Sequence, residues 1–432
     1  MVTIIGFLLI AALVVILLRG KIALSPVLIM LPIAAALICG FGFGDIAGFI
    51  AKGLQSVLSV VVLFAFAIIY FNVLNDVGMF DLFIKRMMKV MGNRVEIVLL
   101  VTAVVAAIAH LDGSGATTMA ITIPLMLPVF KKMKISPTAL LLIISMSSAM
   151  LNMNPWCPPA MTLGASIGID PQAVWRTLIP VQLVGVVLLV GLCFIIGKQE
   201  RSRGAGISGA EFEELKKTFD QPSPVTVSKP VLIFDIVLTV VLIAAMLLAW
   251  APAYVCFMVA LSIALVVNFR GSRAQTDALR RHGGTAINMV LIMMSIGVLT
   301  GIIQHTGMID GMATAILSIL PESLGSHLVF IVSLISPLLG IALGNAATHT
   351  AMAPVLAGVV VQYGSTAGQL AVGLIIGTSL AANLSLVGAG PYLALGLADV
   401  EMGQHLKYSF KWMILMNLLM VIAAALLGAI SF

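Results

Sequence analysis

Residues 110 to 124 read His-Leu-Asp-Gly-Ser-Gly-Ala-Thr-Thr-Met-Ala-Ile-Thr-Ile-Pro. This polar, glycine-bearing break separates two apolar runs, 95–109 and 119–130, each long enough to cross much of the hydrocarbon core of a bilayer. Backbone groups freed at that depth are tolerated only where protein or a water-filled cavity surrounds them. The stretch therefore predicts a binding site inside a membrane protein.

The composition predicts the same class of protein. The chain has 432 residues, of which 61% are hydrophobic and 9% charged, whereas about a quarter of residues are charged in soluble globular proteins. Long apolar runs recur along the chain, without the short alternating segments of a β-barrel. We predict an all-α polytopic membrane protein. Because no basic region or small-residue cleavage pattern accompanies the first run, we expect a retained helix there.

Uninterrupted and interrupted apolar runs alternate along the chain. The uninterrupted runs predict full spans at about 2–18, 22–43, 56–75, 174–197, 230–250, 252–269, 285–303 and 408–430. The interrupted runs predict two re-entrant hairpins, at 95–130 and 327–362, and two broken helices, at 137–168 and 366–398. These assignments give about ten transmembrane helices with both chain termini on the same side.

The distribution of basic residues predicts the orientation. With the N- and C-termini outside, 21 of the 23 Lys and Arg residues lie on the cytoplasmic side, and Lys52 and Arg176 lie outside, as the positive-inside rule requires. The hydrophilic connector 198–229 is then cytoplasmic, a solvated linker with a short surface helix at 211–217. We expect an inner-membrane protein whose net charge of +6 sets its topology and indicates no nucleic-acid partner.

An internal repeat relates the two halves of the chain. Residues 75–81, Asn-Asp-Val-Gly-Met-Phe-Asp, match residues 304–310, Gln-His-Thr-Gly-Met-Ile-Asp. Each half holds an odd number of spans, so the halves are predicted to lie in opposite senses across the membrane. We predict a first inverted repeat over 1–197 and a second over 230–432. Such repeats with paired broken helices are typical of secondary transporters that bind substrate near the midplane.

The repeat also aligns the polar breaks. Thr117 and Asn152 match Thr348 and Asn383 at a spacing of 231 residues. Helix N-termini and hydroxyl groups bind carboxylate oxygens, and amide oxygens bind cations. The predicted substrate-binding residues are Ser114, Gly115, Thr117, Thr118, Asn152, Asn154, Asn345, Thr348, Asn383 and Ser385. An alternative for Ser114 and Thr117 is a purely structural role in packing the hairpin arms.

Three ionisable residues near the tips are candidates for coupling to H⁺ or Na⁺. Asp112 lies between apolar runs, where an ionisable residue is a functional hypothesis by default, although Asp also caps helices. His110 and His349 could exchange a proton near neutral pH or could be neutral hydrogen-bonding groups. Asp235, near the end of a predicted span, is expected at the surface. No spacing of a metal centre or bound cofactor is present.

None of the four breaks contains Lys or Arg. A bare polyanion would therefore need compensation from cotransported cations, protons or a chelated metal. The sequence also lacks an HExxH motif, a nucleophile elbow and paired catalytic carboxylates. We conclude that the chain is a transporter and not an enzyme.

At the level of motifs the chain resembles the citrate–divalent-metal/proton symporter (CitMHS) family of the ion transporter superfamily. The resemblance rests on Ala67-Ile68-Ile69-Tyr70-Phe71, on residues 75–81, on the tip 110–118, and on Asn152-Met153-Asn154-Pro155-Trp156. It implies an inner-membrane carrier of a carboxylate, in characterised members citrate complexed with a divalent metal, driven by protons. It also implies a homodimer with an elevator motion in which the hairpin tips and broken helices enclose the substrate.

Two positions differ from that family pattern. The pattern tends to have an acidic residue where this chain has Ser114, and two glycines and an arginine after Pro-Trp, where this chain has Cys157 and Pro158. The predicted cargo is therefore a small organic anion, citrate or a related carboxylate, with or without metal. A gluconate- or lactate-type permease and a cation/proton antiporter without organic substrate stay open as alternatives.

Overall fold

The computed structural model describes residues 1–19, 22–217, 228–318, 322–386 and 389–432. Within these ranges every regular element is a helix. The α-helices of the first half are α1 (Val2–Arg19), α2 (Leu24–Ile38), α3 (Phe43–Asp76), α4 (Met79–Val90), α5 (Val95–Ala109), α6 (Gly115–Lys132), α7 (Pro137–Leu151), α8 (Pro158–Ile167), α9 (Pro171–Ser202) and α10 (Gly209–Lys217). Those of the second half are α11 (Lys229–Leu247), α12 (Ala253–Asn268), α13 (Ser272–His305), α14 (Met308–Leu317), α15 (Glu322–Gly325), α16 (Leu328–Ala347), α17 (Ala353–Gln362), α18 (Ala367–Ala381), α19 (Ala389–Ala398) and α20 (Met402–Leu426).

The predicted polytopic helical architecture is confirmed. Seven helical segments of the described chain are long and apolar enough to cross a membrane, among them α3, α9 and α20. One segment, Leu328–Gln362, coincides with the predicted second hairpin. Five shorter apolar helices, including the hairpin arm α5 and the broken-helix arm α7, accompany them. Outer helices such as α11 expose large apolar side chains, as expected of surfaces in contact with lipid.

Matching helices occupy matching places in the two halves. Helices α3 and α13 are each 34 residues long. Each is followed by a glycine with positive φ, Gly78 at 85° and Gly307 at 75°, which begins a short helix. Helices α7 and α18 are each 15 residues long and each ends at a break. These correspondences support the predicted repeat, while the opposite orientation of its halves stays a prediction.

The buried side chains form two large hydrophobic cores. One, here called the hairpin bundle, joins α5 to α9 with α16 to α20. The other, here called the scaffold bundle, joins α1 to α3 with α11 to α14. Helices α9 and α20, which correspond to the predicted full spans 174–197 and 408–430, therefore pack with the hairpins and broken helices.

The connector is less detached than its composition suggests. The predicted boundary at residue 197 falls inside α9, which continues to Ser202, and Gly206 N–H donates to Met133 O at 2.8 Å. The predicted short helix is present as α10, and Phe212 on it is 2% exposed within the core of the hairpin bundle. Phe212 therefore anchors α10 to the hairpin bundle, while Glu211, Glu213 and Glu214 beside it are exposed, as expected of a solvated connector. Residues 218–227 lie outside the described ranges.

A buried carboxylate fixes the start of the first broken helix. Glu200 of α9 is 1% exposed and accepts hydrogen bonds from Ser136 N–H at 3.0 Å and Ser136 O–H at 2.8 Å. The hydroxyl of Tyr408 at the start of α20 donates to the same carboxylate at 3.2 Å. Because Ser136 is the N-cap of α7, this carboxylate holds α7, α9 and α20 together.

Glycines allow α3 and α13 to approach closely. A Cβ atom on Gly53 would lie 2.0 Å from the carbonyl oxygen of Gly297 and 2.7 Å from Cα of Gly301. Small residues at such positions let the backbones of membrane helices meet. The α3–α13 pair therefore forms the centre of the scaffold bundle.

We expect Gly53→Val to destabilise the folded protein by about 1–3 kcal/mol or more, because the clash involves backbone atoms that cannot rotate away. Thermal unfolding of the purified protein followed by size-exclusion chromatography measures the change. Gly191→Val is the matched control, since a Cβ on Gly191 would meet nothing within 4 Å. Equal stability of both variants would contradict the assigned packing.

One prediction about a charged residue is wrong. Asp235 is not at the surface: it lies in the second turn of α11 and its residue is 0% exposed. The sequence places it near the end of an apolar run, but α12 packs along α11 and its Asn268 donates to Asp235. Its environment is described below.

Candidate functional site

The first tip is a short turn between α5 and α6. Gly113 has φ +73°, and a Cβ there would press on Cys157 Sγ and Pro158 Cδ at 3.3 Å, so glycine is required. Asp112 Oδ1 accepts the Ser114 N–H at 2.8 Å. Ser114 is the N-cap of α6, where its hydroxyl oxygen accepts from Thr117 N–H at 3.3 Å and Thr117 O–H at 2.9 Å.

His110 connects this tip to the first broken helix. The side chain is 1% exposed. Its Nδ1 lies 2.6 Å from Thr118 Oγ1, and its Nε2 lies 2.9 Å from Asn152 Oδ1. The Thr118 hydroxyl also contacts Ser114 O at 2.8 Å. Four predicted site residues are thereby brought into one hydrogen-bonded chain.

The first broken helix is interrupted between Leu151, where α7 ends, and Pro158, where α8 begins. Asn154 Oδ1 accepts a hydrogen bond from Gln182 Nε2 at 3.0 Å, and the same Nε2 donates to Met150 O at 2.6 Å. Gln182 belongs to α9 and is absent from the predicted set. Its role comes from the packing of α9 against the break, and a polar residue within an apolar span is its sequence signal.

Trp156 closes the break on the side of the scaffold bundle. Its indole N–H donates to Leu111 O in the first tip at 2.9 Å. Its ring lies against Phe71, Trp175 and Phe257 at centroid distances of 5.6 to 6.0 Å. The aromatic residue of the Pro-Trp motif thus positions the tip against the break and packs against both bundles.

The second tip has a different construction. Gly344 has φ 76° and ψ 161°, which breaks the helical path within α16, and the chain then re-enters a helix through a π-helical turn, Thr348–Met352. Such turns are frequent at functional sites. The Thr348 hydroxyl donates to Gly344 O at 2.9 Å. Asn345 Oδ1 is buried and accepts no hydrogen bond in the described structure, so it is a free acceptor beside the tip.

His349 connects the second tip to both broken helices. It is 0% exposed, with Nδ1 at 2.8 Å from Thr162 Oγ1 of α8 and Nε2 at 3.0 Å from Thr378 Oγ1 of α18. The predicted site residues do not include Thr162 and Thr378, because a hydroxyl on an apolar helix is equally consistent with a role in helix packing. The histidine therefore lies where the two halves meet.

In the second broken helix, α18 ends at Ala381, a 3₁₀ turn follows at Ala382–Leu384, and α19 begins at Ala389. Asn383 Nδ2 donates to Ser148 Oγ of α7 at 2.8 Å, which joins the breaks of the two halves. Leu386 N–H donates to Ile341 O at 3.1 Å, next to the second tip. Ser385 is buried, and residues 387–388 of the predicted break lie outside the described ranges.

The structure thus connects all four breaks through side-chain contacts. His110 joins the first tip to the first break, His349 joins the second tip to α8 and α18, and Asn383 joins the second break to α7. The converging groups are hydroxyls, amides, imidazoles and one carboxylate. This set can bind carboxylate oxygens through O–H and N–H donors and cations through oxygen atoms.

A comparison with protein families matches residues 1–377 to the citrate transporter family, CitMHS. The chain belongs to this family. Its members are transporters and not enzymes, as the sequence predicts. The "Citrate transporter" of Bacillus subtilis (strain 168) is 32% identical over 434 residues, covering 100% of each chain. The "Mg(2+)/citrate complex secondary transporter" of the same organism is 31% identical over 438 residues, covering 100% of this chain and 99% of that protein.

Solved structures of transporters share the fold. The YdaH transporter of Alcanivorax borkumensis superposes with a TM-score of 0.57 at 14% identity, covering 88% of this chain and 86% of the other. MtrF of Neisseria gonorrhoeae superposes with a TM-score of 0.64 at 13% identity, covering 88% and 84%. Both superpositions show that the citrate transporter family member described here shares its fold with these proteins.

Proposed function

We propose that this family member is a secondary transporter that imports citrate as a complex with a divalent metal ion, driven by protons. The observation that carries the proposal is the convergence of four polar breaks without a Lys or Arg residue at any of them. The names of two full-length relatives, one a citrate transporter and the other an Mg²⁺/citrate complex transporter, support the same cargo.

Charge balance favours the complex over free citrate. Fully ionised citrate has three negative charges, and chelation of a divalent metal leaves one. The Ser114 hydroxyl, whose oxygen accepts from Thr117 and whose own hydrogen can be donated, and the N-terminus of α6 can stabilise a single negative charge. They are a weak match for a bare trianion, whose desolvation would require cationic side chains. The metal is cargo in this account and travels with citrate.

The proposed coupling ion is a proton bound at the site. His349 faces two hydroxyls that each also contact a main-chain carbonyl, Thr162 to Pro158 O at 2.8 Å and Thr378 to Leu374 O at 2.6 Å. If both hydroxyls donate to those carbonyls, both imidazole nitrogens face acceptors and a second proton completes the hydrogen bonds. His349 is therefore our first candidate for the proton carrier, with His110 and Asp112 as the others.

Alternating access then follows from the two bundles. We propose that the hairpin bundle, with α9 and α20, moves against the scaffold bundle and carries the enclosed cargo across the cytoplasmic membrane. Both termini are proposed to lie outside, with the connector in the cytoplasm, and two copies are proposed to associate through their scaffolds. The transport assay below distinguishes coupling to Na⁺ from coupling to H⁺.

In proteoliposomes with an imposed pH gradient, we expect uptake of labelled citrate to rise about tenfold or more when Mg²⁺ or Ca²⁺ is added, and to fall with a chelator. A tenfold change corresponds to a difference of about 1.4 kcal/mol between the free and chelated anion. Dissipation of the proton gradient is expected to stop accumulation, with or without Na⁺.

Equal uptake with chelator would overturn the metal complex, and uptake of gluconate or lactate in preference to citrate would favour a permease. Cation-driven proton release without citrate uptake would favour an antiporter.

A further inference from the structure

A second polar cluster is buried in the scaffold bundle, away from the tips. Asp235 of α11 is 0% exposed, and Asn268 at the end of α12 donates through Nδ2 to Asp235 Oδ1 at 2.9 Å. One turn further along α11, Thr239 lies 2.8 Å from the hydroxyl of Tyr70, which is 0% exposed on α3. The cluster therefore joins three helices of the scaffold.

Every donor in the cluster is already used. Thr239 O–H donates to the main-chain carbonyl of Asp235 at 2.8 Å, so Tyr70 is the donor in its bond to Thr239. The two Nδ2 hydrogens of Asn268 go to Asp235 Oδ1 and to Ala264 O, the second at 3.0 Å. None of these side-chain hydrogens is left for the remaining oxygens.

Two buried acceptors stay without a donor, Asp235 Oδ2 and Asn268 Oδ1. They belong to the two groups that already share a hydrogen bond. One proton on Asp235 Oδ2 would supply the missing donor, because a carboxylic acid and a primary amide can form a ring of two hydrogen bonds. A bare carboxylate there would instead leave a buried charge with one neutral donor, which is costly.

We propose that Asp235 is protonated at neutral pH and that its O–H donates a hydrogen bond to Asn268 Oδ1. The scaffold bundle then contains a proton-binding site separate from the cargo site. The proposal does not depend on the nature of the cargo. Its consequence is that α11 and α12 are held together by an uncharged acid–amide pair. Removal of the proton at high pH would leave a charge between them and loosen the scaffold.

The charged groups on neighbouring elements leave this carboxyl without an ionic partner. Tyr70 is the titratable side chain that α3 presents to the cluster. Arg86 of α4 is exposed. On α13, Arg281 lies 3.5 Å from Asp76, and His282 lies 2.9 Å from it. Among the described side chains, the ion pairs include none with Asp235, and its Oδ2 has no hydrogen-bond partner.

Infrared spectroscopy of the purified protein in an ester-free detergent at pH 7 tests the proposal. We expect a carboxylic-acid C=O band that is present in the wild type, shifts in D₂O and is absent in Asp235→Asn. That variant keeps the shape and supplies an N–H to Asn268 Oδ1, so it is expected to fold. Asp277→Asn is the control, because Asp277 is exposed and faces Arg280 at 3.9 Å. Identical wild-type and Asp235→Asn spectra would overturn the proposal.

A second measurement covers the case in which Asp235→Asn fails to fold. In Asn268→Leu the acid loses its acceptor, so the C=O band is expected to remain and move to higher frequency; an unmoved band would contradict the pair. Where Asp235→Asn folds, the unfolding temperatures of both proteins are measured at pH 7 and at pH 9. Between these pH values the wild type is expected to lose about 3 °C or more beyond any loss in Asp235→Asn. Stabilisation of the wild type, but not of Asp235→Asn, by Na⁺ or K⁺ at constant ionic strength would assign the site to a metal cation instead.

Discussion

Replacement of Asn383 by Ala is expected to lower citrate uptake by about 100-fold while the protein still folds. The amide lies at the second break and donates to Ser148 Oγ of the first half at 2.8 Å. The expected loss comes from the contact that we propose between this amide and the charged cargo: bonds to charged groups contribute about 1.5–3 kcal/mol, and the larger value corresponds to about two decades in affinity. Asn152→Ala is expected to have a similar effect, because Asn152 holds His110 at the first break.

The control for these variants is Asn72→Ala. Asn72 lies in the scaffold helix α3, and its amide donates to Ile68 O of its own helix at 2.7 Å. We expect this variant to transport citrate at near wild-type rates. Initial uptake rates in proteoliposomes, normalised to folded protein by size-exclusion chromatography, provide the comparison. Uptake within twofold of wild type by both Asn383→Ala and Asn152→Ala would show that the amides are architectural.

His349→Gln is expected to abolish accumulation driven by the proton gradient, with a loss of about 100-fold, and to retain citrate exchange. A Gln side chain offers an NH2 group as donor and a carbonyl oxygen as acceptor, so it can contact Thr162 and Thr378 but does not take up a proton near neutral pH. Exchange of internal for external citrate needs no net proton movement. A variant that exchanges citrate but does not accumulate it is therefore folded and has lost only the coupling to protons.

His327→Gln is the matched control, because His327 is exposed and its ring contacts Phe432 O at 2.9 Å. Both assays use the same liposomes, with and without a pH gradient, in the presence of Mg²⁺. Full gradient-driven accumulation by His349→Gln would exclude His349 as the proton carrier and leave His110 and Asp112. Loss of both activities would assign His349 to the positioning of the tips.

The sequence predicts the parts of this site that have a local signature. A polar break within an apolar run has few explanations in a membrane, so the tips at Gly113 and Gly344 and the breaks at Asn152 and Asn383 were identified from the chain alone. Glycine at the first tip has a direct physical reason, since positive φ and close contact with Cys157 both exclude a Cβ.

The partners of those residues could not be predicted. Three of these partners lie within helices: Thr162, Thr378 and Ser148. A hydroxyl there can donate to a carbonyl oxygen of its own helix, so the sequence gives no signal of a distant contact. Gln182 and Asp235 show the same limit, because their contacts arise from the approach of α9 to α7 and of α12 to α11. Local pattern identifies which segments are irregular, and tertiary packing decides which polar atoms meet.

The proposed transport mechanism requires that the two tips and two broken helices enclose the cargo. The most direct measurement is a cryo-EM structure of the purified protein with citrate and Mg²⁺, compared with one prepared with chelator. We expect cargo density within hydrogen-bond distance of Ser114, Asn383 and the second tip. Density in the 540 Å³ cavity lined by Asp170, Arg176 and Tyr254, with the tips unoccupied, would contradict it.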